Sequence, residues 1–233
     1  TVRHLVGLLT ELPGLYLRMR TLDYLDFFGQ LQGMSPEWRR ERSEELLRRF
    51  EMWEARHQRL GEYSKGMRQK LALIRAMLHD PQILFLDEPT SAMDPHSARL
   101  VRDSILDLRR DRRTIVVCTH NLPEAELLAD RIAIIRRGSI IALGPSAELK
   151  SHLLGAPLLE LRLAQPLDGL LPLISDLIQV EEQGKTWLRY RTVQPEVVNP
   201  LLLGRLAQEG AKIITLSEVP RSLEDVYLKI VEQ

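Results

Sequence analysis

Apolar side chains recur along this chain in two ways, in short unbroken runs and at every third or fourth position, so strands and helices are expected to alternate. The densest run is Ile83-Leu84-Phe85-Leu86, which leads straight into Asp87-Glu88-Pro89. Four apolar residues without polar alternation read as a strand buried on both faces of a sheet. Val2 to Leu9 reads as a second strand, with Glu11 at its exit before the Pro13-Gly14 turn. Thr114 to Thr119 reads as a third, and it ends in His120.

Helical spacing fills the intervals. Residues 21 to 60 place Leu22, Leu25, Phe27, Phe28 and Leu31 on one face, and Ser35-Pro36-Glu37 has the cap residue followed by proline that opens a helix. Arg39, Arg40, Arg42, Arg48 and Arg49 alternate with glutamates there, as on a solvated, ion-paired face. Leu71, Leu73, Ile74, Met77 and Leu78 mark a helix that opens on the loop Gly61-Glu62-Tyr63-Ser64-Lys65-Gly66. Another runs from His96 to Arg110, entered through Thr90-Ser91-Ala92-Met93-Asp94-Pro95, and a short one covers 123 to 130.

A hairpin of Arg131 to Ile135 with Ile140 to Leu143 follows, turning at Arg137-Gly138. Near Ala147 the pattern changes. Leu158 to Leu163 alternates as a strand, Leu167 to Leu177 spaces as a helix, and Ile178 to Glu182 pairs with Lys185 to Arg191 through Gln183-Gly184. Pro195 to Glu209 is helical, Lys212 to Leu216 is a strand, and Ser222-Leu223-Glu224-Asp225 caps a last helix. Strand, helix, strand, strand, helix, strand is the split βαβ, ferredoxin-like plan. The chain therefore reads as an α/β core over 1–146, with a helical subdomain over roughly 20–80, and a small α+β domain over 147–233. The second unit holds no cluster of acids, histidines or cysteines, so Trp187, Tyr190 and Tyr227 are assigned to core packing.

Composition removes several function classes. At 233 residues and 44% hydrophobic content the chain can bury a sizeable core. Lys plus Arg and Asp plus Glu are both 32, so charge gives no reason to expect a nucleic-acid partner. The single cysteine, Cys118, lies in an apolar run and reads as a buried structural thiol, with no disulfide or CxxC site available. No apolar run approaches the roughly 18 residues that span a bilayer, and no signal pattern is present, so a soluble chain is expected. Because Thr1 stands directly before a strand without a methionine, an N-terminally truncated polypeptide is expected too.

Chemistry concentrates at the strand exits. The C-terminal edge of an open α/β sheet is where ligands sit, and adjacent strand residues point to opposite faces, so Asp87 and Glu88 can do different jobs. A solvated turn is the plain reading of such a pair. A Mg²⁺-nucleotide site is the other, with Asp87 holding the metal through water and Glu88 orienting the attacking water. His120 would fall beside Glu88 if the strands are parallel. The loop at Gly61 to Gly66 opens a helix and presents unpaired backbone N–H groups to an anion. Its glycines have the spacing of a P-loop, but Met67-Arg68 stands where Lys-Ser/Thr must follow, and no other such motif occurs in the sequence.

Taken in order, these motifs resemble the ATP-binding subunit of an ABC transporter, of the drug-exporter type that carries a small C-terminal accessory domain. Tyr63-Ser64-Lys65-Gly66-Met67 resembles the signature, with Lys-Gly for the usual Gly-Gly. Ile83 to Glu88 resembles Walker B, Ser91-Ala92-Met93-Asp94 the D-loop, and His120 the switch histidine; Glu11 stands at the Q-loop position in place of glutamine. The resemblance implies a partial P-loop NTPase core with ATP and Mg²⁺ as ligands. Asp87 would bind Mg²⁺ through water, Glu88 would polarise the hydrolytic water and His120 would contact the γ-phosphate. Ser64, Lys65 and Gly66 would close on ATP held by a second ATP-binding subunit in a head-to-tail dimer, and Asp94 would link the two sites. Leu12 to Met19 and the following helices would face a membrane-spanning permease subunit, at the cytoplasmic face of the membrane.

The implied activity is ATP hydrolysis coupled to export of a drug-like or lipid-like substrate, with this polypeptide inactive alone for want of a P-loop. The alternatives are a non-catalytic ABC subunit that donates its signature to an intact partner, and a non-transport ABC ATPase.

Overall fold

In the computed structural model, which describes residues 2–91 and 93–231, three strands form a parallel sheet in the order β1-β2-β3: β1 (Val6–Leu9), β2 (Ile83–Asp87) and β3 (Thr114–Cys118). The register sets Leu8 beside Phe85 and Phe85 beside Val116, and it sets Asp87 beside Cys118. All three expected strands are present, although the first is shorter than Val2 to Leu9, since Val2–His4 forms a 3-10 turn before it. They are not buried on both faces, however. Leu9, Leu84 and Leu86 join the core, whereas Leu8 is 54% exposed and Phe85 and Val116 are each 41% exposed. The described elements of this unit pack on one face only, so a run without polar alternation still ends with one apolar row uncovered. Cys118 belongs to that row and is exposed, not buried.

Between β1 and β2 lies the helical subdomain. It comprises α1 (Thr21–Leu31), α2 (Pro36–Arg49), two short 3-10 turns at Trp53–Ala55 and Leu60–Glu62, and α3 (Lys65–Met77). Ser35 caps α2 by accepting from the Trp38 N–H at 3.2 Å, with Pro36 in the first turn where its missing N–H costs nothing. The arginines of α2 do more than decorate a solvated face. Arg39 pairs with Asp26 of α1 at 2.6 Å, and Arg42 reaches Asp80 at 3.3 Å. Arg49 pairs with Asp107 at 2.8 Å, in α4 (Pro95–Arg110), so the arginines tie α2 to its neighbours.

α3 buries Leu71, Leu73, Ile74 and Met77 and packs closely on β1. Gly7 permits that approach: a Cβ there would stand 2.2 Å from the Ala76 carbonyl oxygen and 2.8 Å from Leu84. After β3, α5 (Leu122–Leu128) closes this first unit, which runs to Ala129.

A second compact unit begins at Asp130. Its opening hairpin pairs β4 (Ile132–Arg136) with β5 (Ser139–Gly144) across a turn in which Arg137 and Gly138 both have positive φ, as a type I′ turn requires. The pattern along the chain assigns this hairpin to the first unit, over 1–146; packing groups it with the second, where β5 meets α6 (Ser146–Leu154) and the Arg136 guanidinium donates to the Ile230 carbonyl at 2.9 Å.

The rest is an antiparallel sheet in the order β7-β8-β6-β9, formed by β6 (Leu158–Leu163), β7 (Val180–Gln183), β8 (Trp187–Arg191) and β9 (Ile213–Glu218). The strand order is that of the ferredoxin-like plan, with α7 (Pro195–Gln208) between β8 and β9 as expected and α8 (Leu223–Val231) following the last strand. One expected helix is missing. Leu167 to Leu177 forms turns around a three-residue 3-10 segment, Leu171–Leu173. Gly169 takes φ +82, and Pro172 has no N–H for an α-helical bond. Tyr190 is fully buried, as expected of a core residue. Trp187 is half-buried beneath Arg189, and Tyr227 is exposed on α8, so neither is a core anchor. No helix among the described residues is long and apolar enough to cross a membrane.

Candidate functional site

Parallel pairing brings the ends of β2 and β3 side by side, and the site is built on that edge. Asp87 is the last residue of β2 and half-buried. Glu88 follows with φ 48, in the left-handed region that few residues other than glycine adopt, immediately before Pro89. Its backbone is tied on both sides: its N–H donates to the Cys118 carbonyl at 2.9 Å, and its carbonyl accepts from the Ser91 N–H at 3.1 Å and from Gln69 Nε2 of α3 at 3.2 Å. These bonds hold a conformation that the chain would not choose locally.

The carboxylate of Glu88 is thereby turned to His120. Oε1 accepts the His120 backbone N–H at 2.8 Å and its Nδ1 at 2.7 Å. A carboxylate can only accept, so Nδ1 carries a proton and Nε2 is left for another partner. The Glu88 side chain is 17% exposed and that of His120 is 87% exposed, so the pair has a shielded root and an open tip. The lone strand-end histidine is therefore part of a constellation.

A second carboxylate stands behind this pair. Glu124 is 3% exposed, accepts the Thr90 hydroxyl at 2.7 Å and lies 3.4 Å from that of Thr119. Thr119 Oγ1 is also 3.5 Å from Glu88 Oε2, at the outer limit of a hydrogen bond. The sequence reading did not single out Glu124. The signal was present: Asn121 is the α5 N-cap, accepting the Glu124 N–H at 3.1 Å, and a glutamate three residues after a cap marks a capping box.

The remaining candidates lie apart from Glu88. Ser64 is exposed and caps α3, its hydroxyl accepting the Met67 N–H at 3.2 Å; Lys65 and Gly66 form the first turn. Among the described residues no hydrogen bond or ion pair joins these three to Asp87, Glu88 or His120. Their connection is through the α3 backbone to Gln69 and on to the Glu88 carbonyl. Asp94 caps α4, accepting the His96 and Ser97 N–H groups at 3.0 Å each; the Ser97 hydroxyl first, and then these N–H groups, hold its carboxyl below the usual aspartate range. Ala92, within the expected D-loop, lies outside the described residues. Glu11 is exposed two residues beyond β1.

No group of three or more His, Cys, Asp or Glu among the described residues forms a metal cage. A single carboxylate at a strand tip fits an octahedral cation that keeps most of its waters and takes its other oxygens from phosphates. The parallel strands, with an acid pair at their carboxyl edge, define an α/β protein of the class that binds ligands at that edge.

The likeness to known proteins has the same direction. A profile of the ABC transporter family matches residues 2–91. The chain is 33% identical to the ABC transporter ATP-binding protein YxlF of Bacillus subtilis, over 98% of this chain and 77% of that protein. It is 34% identical to the Nod factor export ATP-binding protein I of a Rhizobium species, over 98% of this chain and 73% of that one. A fluoroquinolones export ATP-binding protein of Mycobacterium tuberculosis is 38% identical over 62% of this chain and 47% of its own length. Among solved structures, an ATP-binding subunit of an ABC transporter superposes with a TM-score of 0.61 at 25% identity, covering 66% of this chain and 64% of its own. The chain belongs to the ABC transporter family, as an ATP-binding protein.

Proposed function

We propose that this chain is the Walker B, switch and signature portion of an exporter's ATP-binding subunit, acting in ATP hydrolysis. The observation that carries this reading is the Glu88–His120 contact at the carboxyl edge of the sheet. Glu88 is the general base, placed to orient a water and accept its proton, and His120 presents Nε2 to the γ-phosphate. Asp87 holds Mg²⁺ through water. Bound Mg²⁺·ATP supplies the electrophilic phosphoryl group and its charge neutralisation. Ser64 and Lys65, exposed at the α3 N-terminus, with the partly buried Gly66 beside them, suit contact with nucleotide on an opposing subunit, with Asp94 between the two sites.

Partners follow from the surface. Leu12, Tyr16, Leu17, Phe27 and Leu31 are exposed on the segment after β1 and on α1, an apolar face that suits docking to a membrane-spanning permease. Relatives named for export of Nod factors and fluoroquinolones, and for daunorubicin resistance, favour a drug-like or lipid-like substrate.

These 233 residues contain no GxxxxGK followed by Ser or Thr, so the β- and γ-phosphates lack their usual backbone cradle and lysine. The purified chain should release no phosphate from Mg²⁺·ATP. Joined to the P-loop-bearing strand and helix of an ABC ATP-binding subunit, it should hydrolyse ATP, and Glu88→Gln should lower that activity by about 10²- to 10⁴-fold. Activity of the unjoined chain, or a joined Glu88→Gln variant as active as the unsubstituted one, would overturn the reading.

The exposure of Ser64 favours a second role, a subunit that completes an intact partner's ATP site. Ser64→Arg should then lower the partner's ATPase rate in a mixed dimer; an unchanged rate would rule this role out.

A further inference from the structure

Glu124 is a buried carboxylate at the strand edge that the proposed chemistry does not use. It is buried to 3% exposure, and a buried carboxylate persists only where its surroundings compensate the lost hydration. Its two oxygens face two threonines from different segments. Thr90, at 2.7 Å, lies two residues after Glu88, and Thr119, at 3.4 Å, immediately precedes His120.

A capping role does not account for this arrangement. In a capping box the glutamate would turn back to the N–H of the cap residue, Asn121. That N–H is already taken by Thr119 Oγ1 at 3.0 Å, and the Glu124 carboxylate points instead to Thr90. Thr119 has one hydroxyl proton and two carboxylates within reach, Glu124 Oε2 at 3.4 Å and Glu88 Oε2 at 3.5 Å. A hydroxyl turned to Glu124 leaves Glu88 Oε2 open as an acceptor, while Glu88 Oε1 stays occupied by His120.

We propose that Glu124 is a positioning residue that clamps the segments after β2 and β3 through Thr90 and Thr119, fixing the Glu88–His120 contact and keeping Glu88 Oε2 free for water. The proposal rests on the reading that Glu88 and His120 face the nucleotide, and it assigns Glu124 no contact with substrate.

The test uses the ¹⁵N-labelled chain itself and reads the His120 backbone amide, whose proton rests on Glu88 Oε1. Glu88→Gln defines the displaced position of that resonance. Thr90→Val preserves shape and removes one arm of the clamp, and Glu124→Gln removes the charge. Both variants should fold, with cooperative melts, and should move the His120 amide more than halfway to the Glu88→Gln position. A folded variant whose His120 amide stays at the wild-type position would overturn the proposal and leave Glu124 a structural group. Failure of both variants to fold would also count against it, since a clamp on the site predicts folded proteins. Failure of the nucleotide reading shows in phosphate release by the joined chain, a separate measurement that leaves the amide result intact.

Discussion

Glu88 and His120 meet through a single oxygen: Oε1 of Glu88 accepts both the backbone N–H of His120, at 2.8 Å, and its Nδ1, at 2.7 Å. The two side chains thus act as a unit. In the P-loop-joined chain, Glu88→Gln should lower kcat by about 10²- to 10⁴-fold, the range of a positioned general base. His120→Ala should also lower it. The double variant should lose much less than the product of the single losses, because members of one hydrogen-bonded unit are not additive. Multiplicative losses in a phosphate-release assay would show that the two act independently.

Ser64 has a structural duty beneath its assigned one, because it caps α3. Ser64→Ala should cost about 1 kcal/mol of stability, the usual effect of losing an N-cap. Ser64→Asp separates the roles: aspartate caps as well as serine, while its charge opposes phosphate. Urea melts should place Ser64→Asp at or above wild type, and the joined chain should lose ATPase activity. An active Ser64→Asp variant would remove Ser64 from the nucleotide site.

Gly7 is needed for space, not for an unusual backbone angle. A Cβ would stand 2.2 Å from the Ala76 carbonyl oxygen and 2.8 Å from Leu84, and a backbone atom cannot swing aside as a flexible side chain can. Gly7→Ala should destabilise the first unit by about 1–3 kcal/mol, the range for overpacking a tight core. A denaturation midpoint unchanged from wild type would show that α3 can move off β1.

Much of this was legible in the sequence because it was local. Ser35-Pro36, Asp94-Pro95 and Ser222 with Asp225 announce helix starts, and each is a working cap. Ile83 to Leu86 announces a strand that delivers Asp87 and Glu88 to an edge. What was hidden is long-range. The exposure of Phe85 depends on what covers a sheet face, which a run of apolar letters does not encode. The positive φ of Glu88 is imposed by bonds to Cys118, Ser91 and Gln69. Asn121 and Glu124 have the spacing of a capping box, and only tertiary placement turns the glutamate to Thr90. The helix that leucine spacing predicts at Leu167 to Leu177 is absent for a local reason, since Gly169 and Pro172 outweigh that spacing.

The uncovered row of Leu8, Phe85 and Val116 makes a testable surface. Adjacent exposed apolar side chains promote association of a free protein. The isolated chain should bind a hydrophobic dye and elute as associated species in size-exclusion chromatography. Phe85→Lys should reduce both, since it places a charge at the centre of the row. Unchanged dye binding in Phe85→Lys would place the exposed surface elsewhere.

Tyr190 gives the second unit its own pH limit. Its ring is fully buried, its hydroxyl donates to Asn199 Oδ1 at 2.6 Å, and burial pushes the phenol up from 10.0 to about 12. A phenol whose folded value exceeds its unfolded value favours folding while it stays protonated. That contribution is complete below pH 10 and is lost as pH rises toward about 12. The full span is worth about 3 kcal/mol at 1.36 kcal/mol per unit. Trp187 is the tryptophan of this unit, so its fluorescence in a Trp38→Phe, Trp53→Phe background follows the transition. Urea midpoints should be level up to about pH 10 and then decline, since that is where an unperturbed phenol begins to ionise. Tyr190→Phe should be less stable at neutral pH and should flatten the alkaline decline, because phenylalanine has no proton to lose. A decline as steep in Tyr190→Phe as in wild type would assign the alkaline limit to another group.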